Sequence, residues 1–338
     1  MKIMVAMSGG VDSSSVAYML KNEGYEIEGV YMKLHNSPEY HKNNIKKVEK
    51  IANFLGIKYH ILDLQPQFNE KVYSPFIESY KKGETPNPCV LCNRNIKFGE
   101  LIKFMKQKNF DKLATGHYIS IKDGFICEAK DKSKDQSYFL ANIKKENIPF
   151  LFFPLNSILK KDLKETASKI PILKEFSAQK ESSEICFVDT TYIDVLKDHT
   201  TVNIPGDVIN STGKVIGKHK GYMQYTIGKR RGFEVFGALE PHYVTKIDPV
   251  KNEITVGTKE NLQVNNFMIR DVNIFINEKE FDASVKIRYR SDKIPCKVKI
   301  FKDKTAEIIL DKSVFAVAAG QMAALYDNEK LLGGGWII

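Results

Sequence analysis

The chain has 338 residues, 43% of them hydrophobic, and its 51 Lys and Arg against 41 Asp and Glu leave a formal charge of +10. Five cysteines are too few to staple a chain of this length, which excludes a disulfide scaffold and fits a reducing compartment. The N-terminus lacks the pattern of a signal peptide and no apolar run approaches the ~20 residues of a bilayer span, so a cytoplasmic protein is expected; the basic excess is compatible with a polyanionic partner without requiring one.

In chain order, Lys2 to Met7 reads as a strand that breaks at Ser8-Gly9-Gly10 and leads into a helix from Ser13 to Asn22, closed by Gly24. A second strand covers Ile27 to Leu34. Ile45, Val48, Ile51, Ala52 and Leu55 then recur at helical spacing up to Gly56, and Lys58 to Leu64 reads as a third strand. This punctuation predicts an α/β domain with a doubly wound, mostly parallel sheet, whose ligands bind at the carboxyl ends of the strands. Lys112 to Thr115, another short strand, ends there in Gly116-His117-Tyr118.

The turn after the first strand has the makings of an anion site. The first amides of a helix lack intrahelical partners and lie at the positive end of its dipole. Ser8, Ser13 and Ser14 add hydroxyl donors, Gly9 and Gly10 permit close backbone approach, and Asp12 stands where magnesium beside phosphates needs a carboxylate. The plainer reading is a polar helix cap. Neither G-x-x-x-x-G-K-[ST] nor G-x-G-x-x-G occurs, which removes support for kinase-like and dinucleotide readings.

Two thiol-bearing segments follow. In Gly83-Glu84-Thr85-Pro86-Asn87-Pro88-Cys89-Val90-Leu91-Cys92-Asn93 the prolines break regular structure and Asn93-Arg94-Asn95 opens a helix, which places Cys92 near a helix N-terminus and beside Arg94. Both features lower a thiol's pKa. Glu181-Ser182-Ser183-Glu184-Ile185-Cys186-Phe187-Val188 is a polar loop entering an apolar run. A structural zinc site lacks its fourth ligand at usable spacing, whereas Cys89, Cys92 and Cys186 could hold an iron–sulfur cluster with one open iron position. Cys127 and Cys296 lie in alternating strands and read as packing residues. From Val202 onward short strands alternate with Gly, Asn and Asp turns, and after Asn265-Asn266 a compact barrel or sandwich is expected. Three domains result: 1–200, a small β-rich 201–265, and 266–338.

Ser8-Gly9-Gly10-Val11-Asp12-Ser13, Thr85 to Asn93, Ala114 to Tyr118, Lys134 to Leu140, Ile185-Cys186-Phe187 and Gly217 to Gly228 occur in the order seen in bacterial tRNA-specific 2-thiouridylases, of the PP-loop ATP pyrophosphatase superfamily, and the likeness covers essentially the whole chain. The resemblance implies a PP-loop domain, a small middle domain and a C-terminal β-barrel, in an enzyme that uses ATP to replace O2 of the wobble uridine with sulfur in tRNAs for Lys, Glu and Gln. It implies ATP binding by Ala6, Met7, Ser8, Gly9, Gly10, Val11, Asp12 and Ser13, with Met32 and Gly116 lining the adenosine. Cys92 becomes the nucleophile. Cys186 becomes the persulfide carrier, loaded by a sulfur-relay protein fed by a cysteine desulfurase. Contacts to the tRNA anticodon stem-loop are implied for Asn87, Pro88 and Cys89 around the target base, and for His117, Asp135, Gln136, Ser137, Arg288, Tyr289 and Gln321. Lys218, Lys220, Lys229, Arg230 and Arg231 are further candidates for phosphate contact, or else a solvated face. A monomer is expected. Ala6 stands where many members have Gly, and Cys89 where some have Asp, which leaves the role of that position open. The rival readings are a 4-thiouridine or 2-thiocytidine thiolase, a small-molecule PP-loop ligase, and a tRNA-binding protein without catalysis.

Overall fold

The computed structural model describes residues 1–178, 185–188 and 190–338. They form two compact units. The first comprises Met1–Val72, Cys89–Ser183 and Asn328–Leu332, and the second Tyr73–Pro88, Glu184–Asp327 and Gly333–Ile338.

In the first unit, β1 (Lys2–Ala6) carries Ile3, Met4 and Val5 at 0% exposure, the burial on both faces that a central parallel strand requires. Helix α1 (Val11–Asn22) leads to β2 (Glu26–Lys33), and α2 (Pro38–Leu55) leads to β3 (Tyr59–Asp63). Pro38 opens α2 at a position where its missing N–H costs nothing, and Gly56, left-handed at φ 62 and ψ 40, closes it. β4 (Lys112–Ala114), a hairpin of β5 (Ile119–Lys122) and β6 (Phe125–Glu128), and β7 (Leu151–Phe152) follow. The main sheet has the order β3-β2-β1-β4-β7 with every pairing parallel. Strand order therefore reverses between β1 and β4, and the crevice beyond their carboxyl ends is where such sheets bind ligands. α1 turns Ser13, Ser14, Ser15, Val16, Ala17 and Leu20 inward, small residues that let it lie close on the sheet. Burial of Val16 and Leu20 contributes about 1.5–3 kcal/mol each.

The second unit holds two β structures. β8 (Gly206–Ile209), β9 (Val215–His219), β10 (Phe233–Val235), β11 (Tyr243–Asp248) and β12 (Glu253–Gly257) form a sheet in the order β10-β9-β8-β12-β11, with only β8 and β12 parallel. Tyr225 is buried in its core, with Tyr222 and Phe233 packed against it. β13 (Gln263–Ile274), β14 (Glu280–Lys286), β15 (Ile294–Ile300), β16 (Ala306–Phe315), β17 (Met322–Asp327) and β18 (Lys330–Ile337) follow one another in the order β13-β16-β15-β14-β17-β18, and β13 pairs back with β18 to close the barrel. β18 carries Gly333-Gly334-Gly335 inside the strand. Gly333 sits at φ 122, where a Cβ would lie 2.1 Å from the Asn273 carbonyl, so the glycine is what lets β13 approach.

Residues 73–88 also pack in this unit. Phe76, Ile77 and Tyr80 of the helix Ser74–Lys81 are buried with Leu196, Val202 and Met223.

Candidate active site

The turn between β1 and α1 is cross-braced from within. The Ser8 amide donates to Ser13 Oγ (3.1 Å), the two serine hydroxyls are 3.2 Å apart, and Ser13 Oγ donates to the Gly10 carbonyl (3.2 Å). Met7 continues the sheet, its amide donating to the Val30 carbonyl at 2.8 Å. Gly9 has φ 80, and a Cβ there would press on Asn44, whose Oδ1 lies at 3.1 Å and carbonyl at 3.2 Å. Gly116, just after β4, is closer still: its Cβ would meet Asp12 Cβ at 2.9 Å and the Ser13 amide nitrogen at 3.0 Å. The two glycines thus let α2 and the end of β4 pack closely against the turn and the start of α1, and the buried Ser14 hydroxyl has no partner among the described residues. A glycine turn at a helix N-terminus with a buried hydroxyl beside it fits the phosphates of a nucleoside triphosphate. Met32 is half-buried at the carboxyl end of β2, opposite Leu62.

Asp12 is held by a residue the sequence did not single out. Lys160 Nζ lies 2.5 Å and 2.6 Å from its two carboxylate oxygens, with the Tyr118 hydroxyl donating to one of them at 3.1 Å. The lysine side chain is only 9% exposed and the aspartate 33%. An ammonium is thereby held beside the turn after β1, anchored at the first residue of the helix Lys160–Lys169.

The thiol segments differ from expectation in one respect. Helix begins at Pro88, not Asn93: Pro88–Cys92 is helical, continues through a wide-turned stretch Asn93–Glu100 and ends with Leu101–Gln107. Proline suits a first helical turn. Cys92 therefore ends the opening segment, and the terminus argument belongs to Cys89, because the dipole effect fades within one turn. Arg94 is taken up by Asn142, donating to its carbonyl and to Oδ1 (2.7 Å). Burial pushes the Cys89 thiol up, opposed by the charge of Lys97. Cys92 is 7% exposed, next to Asn93 at 3%, whose Oδ1 is buried without a partner among the described residues.

Cys186 is exposed. It sits on a turn closed by the Val188 amide donating to the Ile185 carbonyl (2.9 Å), and the flanking Ile185 and Phe187 pack into the cluster around Phe76. Anchoring the neighbours turns the thiol outward. The preceding polar residues, Glu181 to Glu184, lie outside the described residues. Cys127 and Cys296 are both 3% exposed in β6 and β15, and burial with Asp311 and Asp282 nearby pushes the Cys296 thiol up to about 12. No disulfide joins the five cysteines. Among the described residues no three His, Cys, Asp or Glu side chains are grouped so as to hold a metal ion.

Three family profiles tile the chain: a tRNA methyl transferase HUP domain over residues 1–190, a tRNA methyl transferase PRC-barrel domain over 193–258, and an aminomethyltransferase beta-barrel domain over 264–337. Over 337 residues the chain is 58% identical to the tRNA-specific 2-thiouridylase MnmA of Campylobacter jejuni strain RM1221, with 100% of both chains covered. The same-named protein of Campylobacter lari is 60% identical with the same coverage, and that of Sulfurimonas denitrificans 54% over 99% of this chain and 98% of the relative. The chain belongs to the tRNA-specific 2-thiouridylase family.

In this 2-thiouridylase-family chain the residues expected around the RNA fall into two kinds. Some form walls. His117, 9% exposed, is packed against Phe98 and Phe153 with its ring nitrogen Nδ1 2.6 Å from Thr115 Oγ1; burial, then the charge of Lys97, holds its pKa well below the usual histidine value, so the ring is neutral. Asp135, 5% exposed, accepts from the Ala129 amide (2.9 Å) and Ser137 Oγ (2.7 Å), and burial raises its pKa. Ser137 is 0% exposed. Gln136 Oε1 accepts from the Tyr118 amide at 3.1 Å, coupling this loop to the residue that contacts Asp12. In this conformation His117, Asp135 and Ser137 shape the site from inside and present little surface to an RNA.

The others lie on the second unit. Gln321 donates to the carbonyls of Thr85 (3.0 Å) and Pro86 (3.3 Å), and Arg270 places its guanidinium 3.1 Å from both carboxylate oxygens of Glu84. The Thr85 amide donates to Ala319 at 2.8 Å. The barrel thereby fixes the strap leading to Asn87 and Pro88. Exposed Arg288, in the bend after β14, donates to the Ala316 carbonyl (3.0 Å), with Tyr289 half-buried beside it. Lys220, Arg230 and Arg231 are exposed, but Lys218 pairs with Asp207 at 2.5 Å and Lys229 is half-buried, donating to the Gln224 carbonyl at 2.6 Å. Burial lowers the Lys229 pKa, so of these basic residues it is the least suited to phosphate contact.

Proposed function

We propose that the chain uses ATP to replace O2 of the wobble uridine of tRNAs for Lys, Glu and Gln with sulfur. Full-length identity of 58% to 60% with 2-thiouridylases, together with the close packing of Gly116 on Asp12 and the Ser13 amide, carries this reading. The amides of Gly9 to Ser13 and the Lys160 ammonium stabilise the charge that develops on the departing pyrophosphate. Asp12, whose two carboxylate oxygens both face the Lys160 ammonium, would hold magnesium by giving up one of those contacts, and the ion would supply charge neutralisation to the phosphates; Met32 and Gly116 line the nucleoside. Uridine O2 attacks the α-phosphorus, the bond to pyrophosphate breaks, and C2 then carries AMP as a good leaving group.

Cys186, outward on its turn, is accessible to a carrier protein of the persulfide class fed by a cysteine desulfurase. Its persulfide either attacks C2 directly, expelling AMP and leaving the uridine joined to Cys186 by a disulfide that the Cys92 thiolate then breaks at Cys186 Sγ, or is first cleaved by Cys92 to release hydrosulfide, which attacks C2 and expels AMP. Both routes end in a Cys92–Cys186 disulfide, which an external thiol reductant reopens. Asn87, Pro88 and Cys89 surround the base, while Gln136, Arg288, Tyr289 and Gln321 position the anticodon stem-loop, with His117, Asp135 and Ser137 as positioning residues behind them. Segments 1–200, 201–265 and 266–338 act as catalytic, middle and barrel domains of a cytoplasmic monomer. Among the described residues no helix is long and apolar enough to cross a membrane.

The test is incubation of the purified chain with ATP, unmodified tRNA and a persulfide donor, followed by nucleoside mass spectrometry. The expected products are 2-thiouridine at the wobble position, AMP and pyrophosphate. Formation of 4-thiouridine or 2-thiocytidine instead would overturn the assignment.

A further inference from the structure

Three buried asparagines clasp the helical stretch after Cys92 to the turns that follow Gln136. Asn93, Asn142 and Asn147 are 3%, 5% and 8% exposed, and each bonds across the same boundary within the first unit. Asn93 Nδ2 donates to the Phe139 carbonyl (3.4 Å), Asn142 Oδ1 accepts from Arg94 (2.7 Å), and Asn147 Nδ2 donates to the Phe98 carbonyl (2.6 Å). We propose that Asn142 and Asn147 are positioning residues for sulfur transfer, which act through Arg94 and Phe98 to set where Cys92 stands against the activated uridine. This deepens, and rests on, the reading of Cys92 as the nucleophile.

The stretch that the asparagines hold is an unusual helix. Cys92 immediately precedes Asn93–Glu100, whose wide turns are interrupted by non-helical backbone at Phe98 (φ −109, ψ 16). Wide helical turns are rare and recur at functional sites. Here the carbonyl of the interrupted residue is the one that Asn147 takes. The opposing turns are anchored in the core, with Tyr138, Leu140, Ala141 and Ile143 each 0% exposed. Apolar packing alone tolerates small shifts of one segment over another, whereas a buried amide is satisfied in one register and loses its bonds in any other. The clasp therefore fixes register, and Cys92 stands at the head of the stretch so fixed. The same turns also reach the nucleotide side. Gln136 Oε1 accepts from the Tyr118 amide (3.1 Å), and the Tyr118 hydroxyl donates to Asp12 (3.1 Å). The turns after Gln136 are thus a shared reference for Asp12, which serves adenylation, and for Cys92, which serves the sulfur step.

The experiment uses the full chain with ATP labelled at the α-phosphate, unmodified tRNA and a persulfide donor, in a single turnover without added thiol reductant. Two rates are read: formation of adenylated tRNA, and its conversion to 2-thiouridine. Asn142→Ala and Asn147→Ala should adenylate within about twofold of wild type and convert about 10- to 100-fold more slowly, the effect of misplacing a reacting group by up to about 1 Å. Asn142→Asp keeps an acceptor for Arg94 and should bring conversion back to within about threefold of wild type. Arg94→Gln breaks the same contact from its half-buried side and should match Asn142→Ala, which keeps the test open if an alanine variant folds poorly. Both rates are referred to the folded fraction, read from thermal unfolding. Equal proportional loss of the two rates would reduce the asparagines to a structural role and overturn the proposal, as would conversion at the wild-type rate in the alanine variants. Cys92→Ser separates the two readings. If it converts adenylated tRNA at the wild-type rate, the nucleophile reading falls and the proposal with it, whereas an inactive Cys92→Ser beside an unimpaired Asn142→Ala overturns the proposal alone.

Discussion

Replacing Gly116 with alanine tests the cradle with one methyl group. The new Cβ would lie 2.9 Å from Asp12 Cβ, 3.0 Å from the Ser13 amide nitrogen and 3.1 Å from the Asp12 carbonyl carbon. Two of these are backbone atoms, which cannot rotate away. The first turn of α1 must retreat by about 0.5 Å to reach ordinary contact distance. Overpacking of this kind costs about 1–3 kcal/mol, a Tm lower by roughly 2–10 °C for a unit of this size. The functional cost is larger, because Asp12 and the Ser13 amide move with the turn, and a displacement near 1 Å costs about 10²-fold. The expected kcat/KM for ATP in tRNA-stimulated AMP release is therefore about 10- to 100-fold below wild type, with the protein folded at 25 °C. Gly124→Ala is the control. At φ 76 it strains the backbone, yet its Cβ meets nothing within 4 Å; it should lose about 1–2 kcal/mol of stability and no activity. Wild-type kcat/KM in Gly116→Ala would refute the close-packed cradle.

The thiols divide by exposure: at pH 8 iodoacetamide should modify Cys186 rapidly and leave Cys296 unmodified, and mass mapping that finds the reverse removes the carrier role from Cys186. Cys92→Ser and Cys186→Ser should each abolish thiolation, whereas Cys127→Ser and Cys296→Ser keep most of it. His117 carries a depressed pKa in the folded chain, so it contributes stability above the unfolded value near 6.5 that is lost as pH falls below it, by up to about 1.4 kcal/mol per pH unit. Denaturant midpoints between pH 7 and 5 should fall less in His117→Gln than in wild type, leaving the part due to His219, whose pKa burial also lowers; equal falls would show that His117 is not buried neutral. Glu84→Gln should loosen the strap that Arg270 holds, raising the KM for tRNA about 3- to 10-fold while costing at most about 1 kcal/mol of stability, the worth of a part-exposed pair. An altered ATP affinity with unchanged tRNA KM would contradict that division of labour.

What the sequence determined alone is what depends on neighbours along the chain. The loop from Ser8 to Ser13 was legible because strand, glycine turn and helix dipole are consecutive, and its braces span at most five residues. The end of α2 at Gly56 and the alternation of the β strands were legible for the same reason. Lys160 was not, since it reaches Asp12 across 148 positions and nothing local distinguishes it from the lysines around it. The strap at Glu84 to Pro86 depends on Arg270 and Gln321, more than 180 residues away. Pro88 reads as a breaker yet opens a helix, since a missing amide hydrogen costs nothing in a first helical turn, and Gly333 lets the barrel close because the Asn273 carbonyl lies where a side chain would be. Local propensity chooses the elements, and burial against distant segments decides which side chains meet at the site.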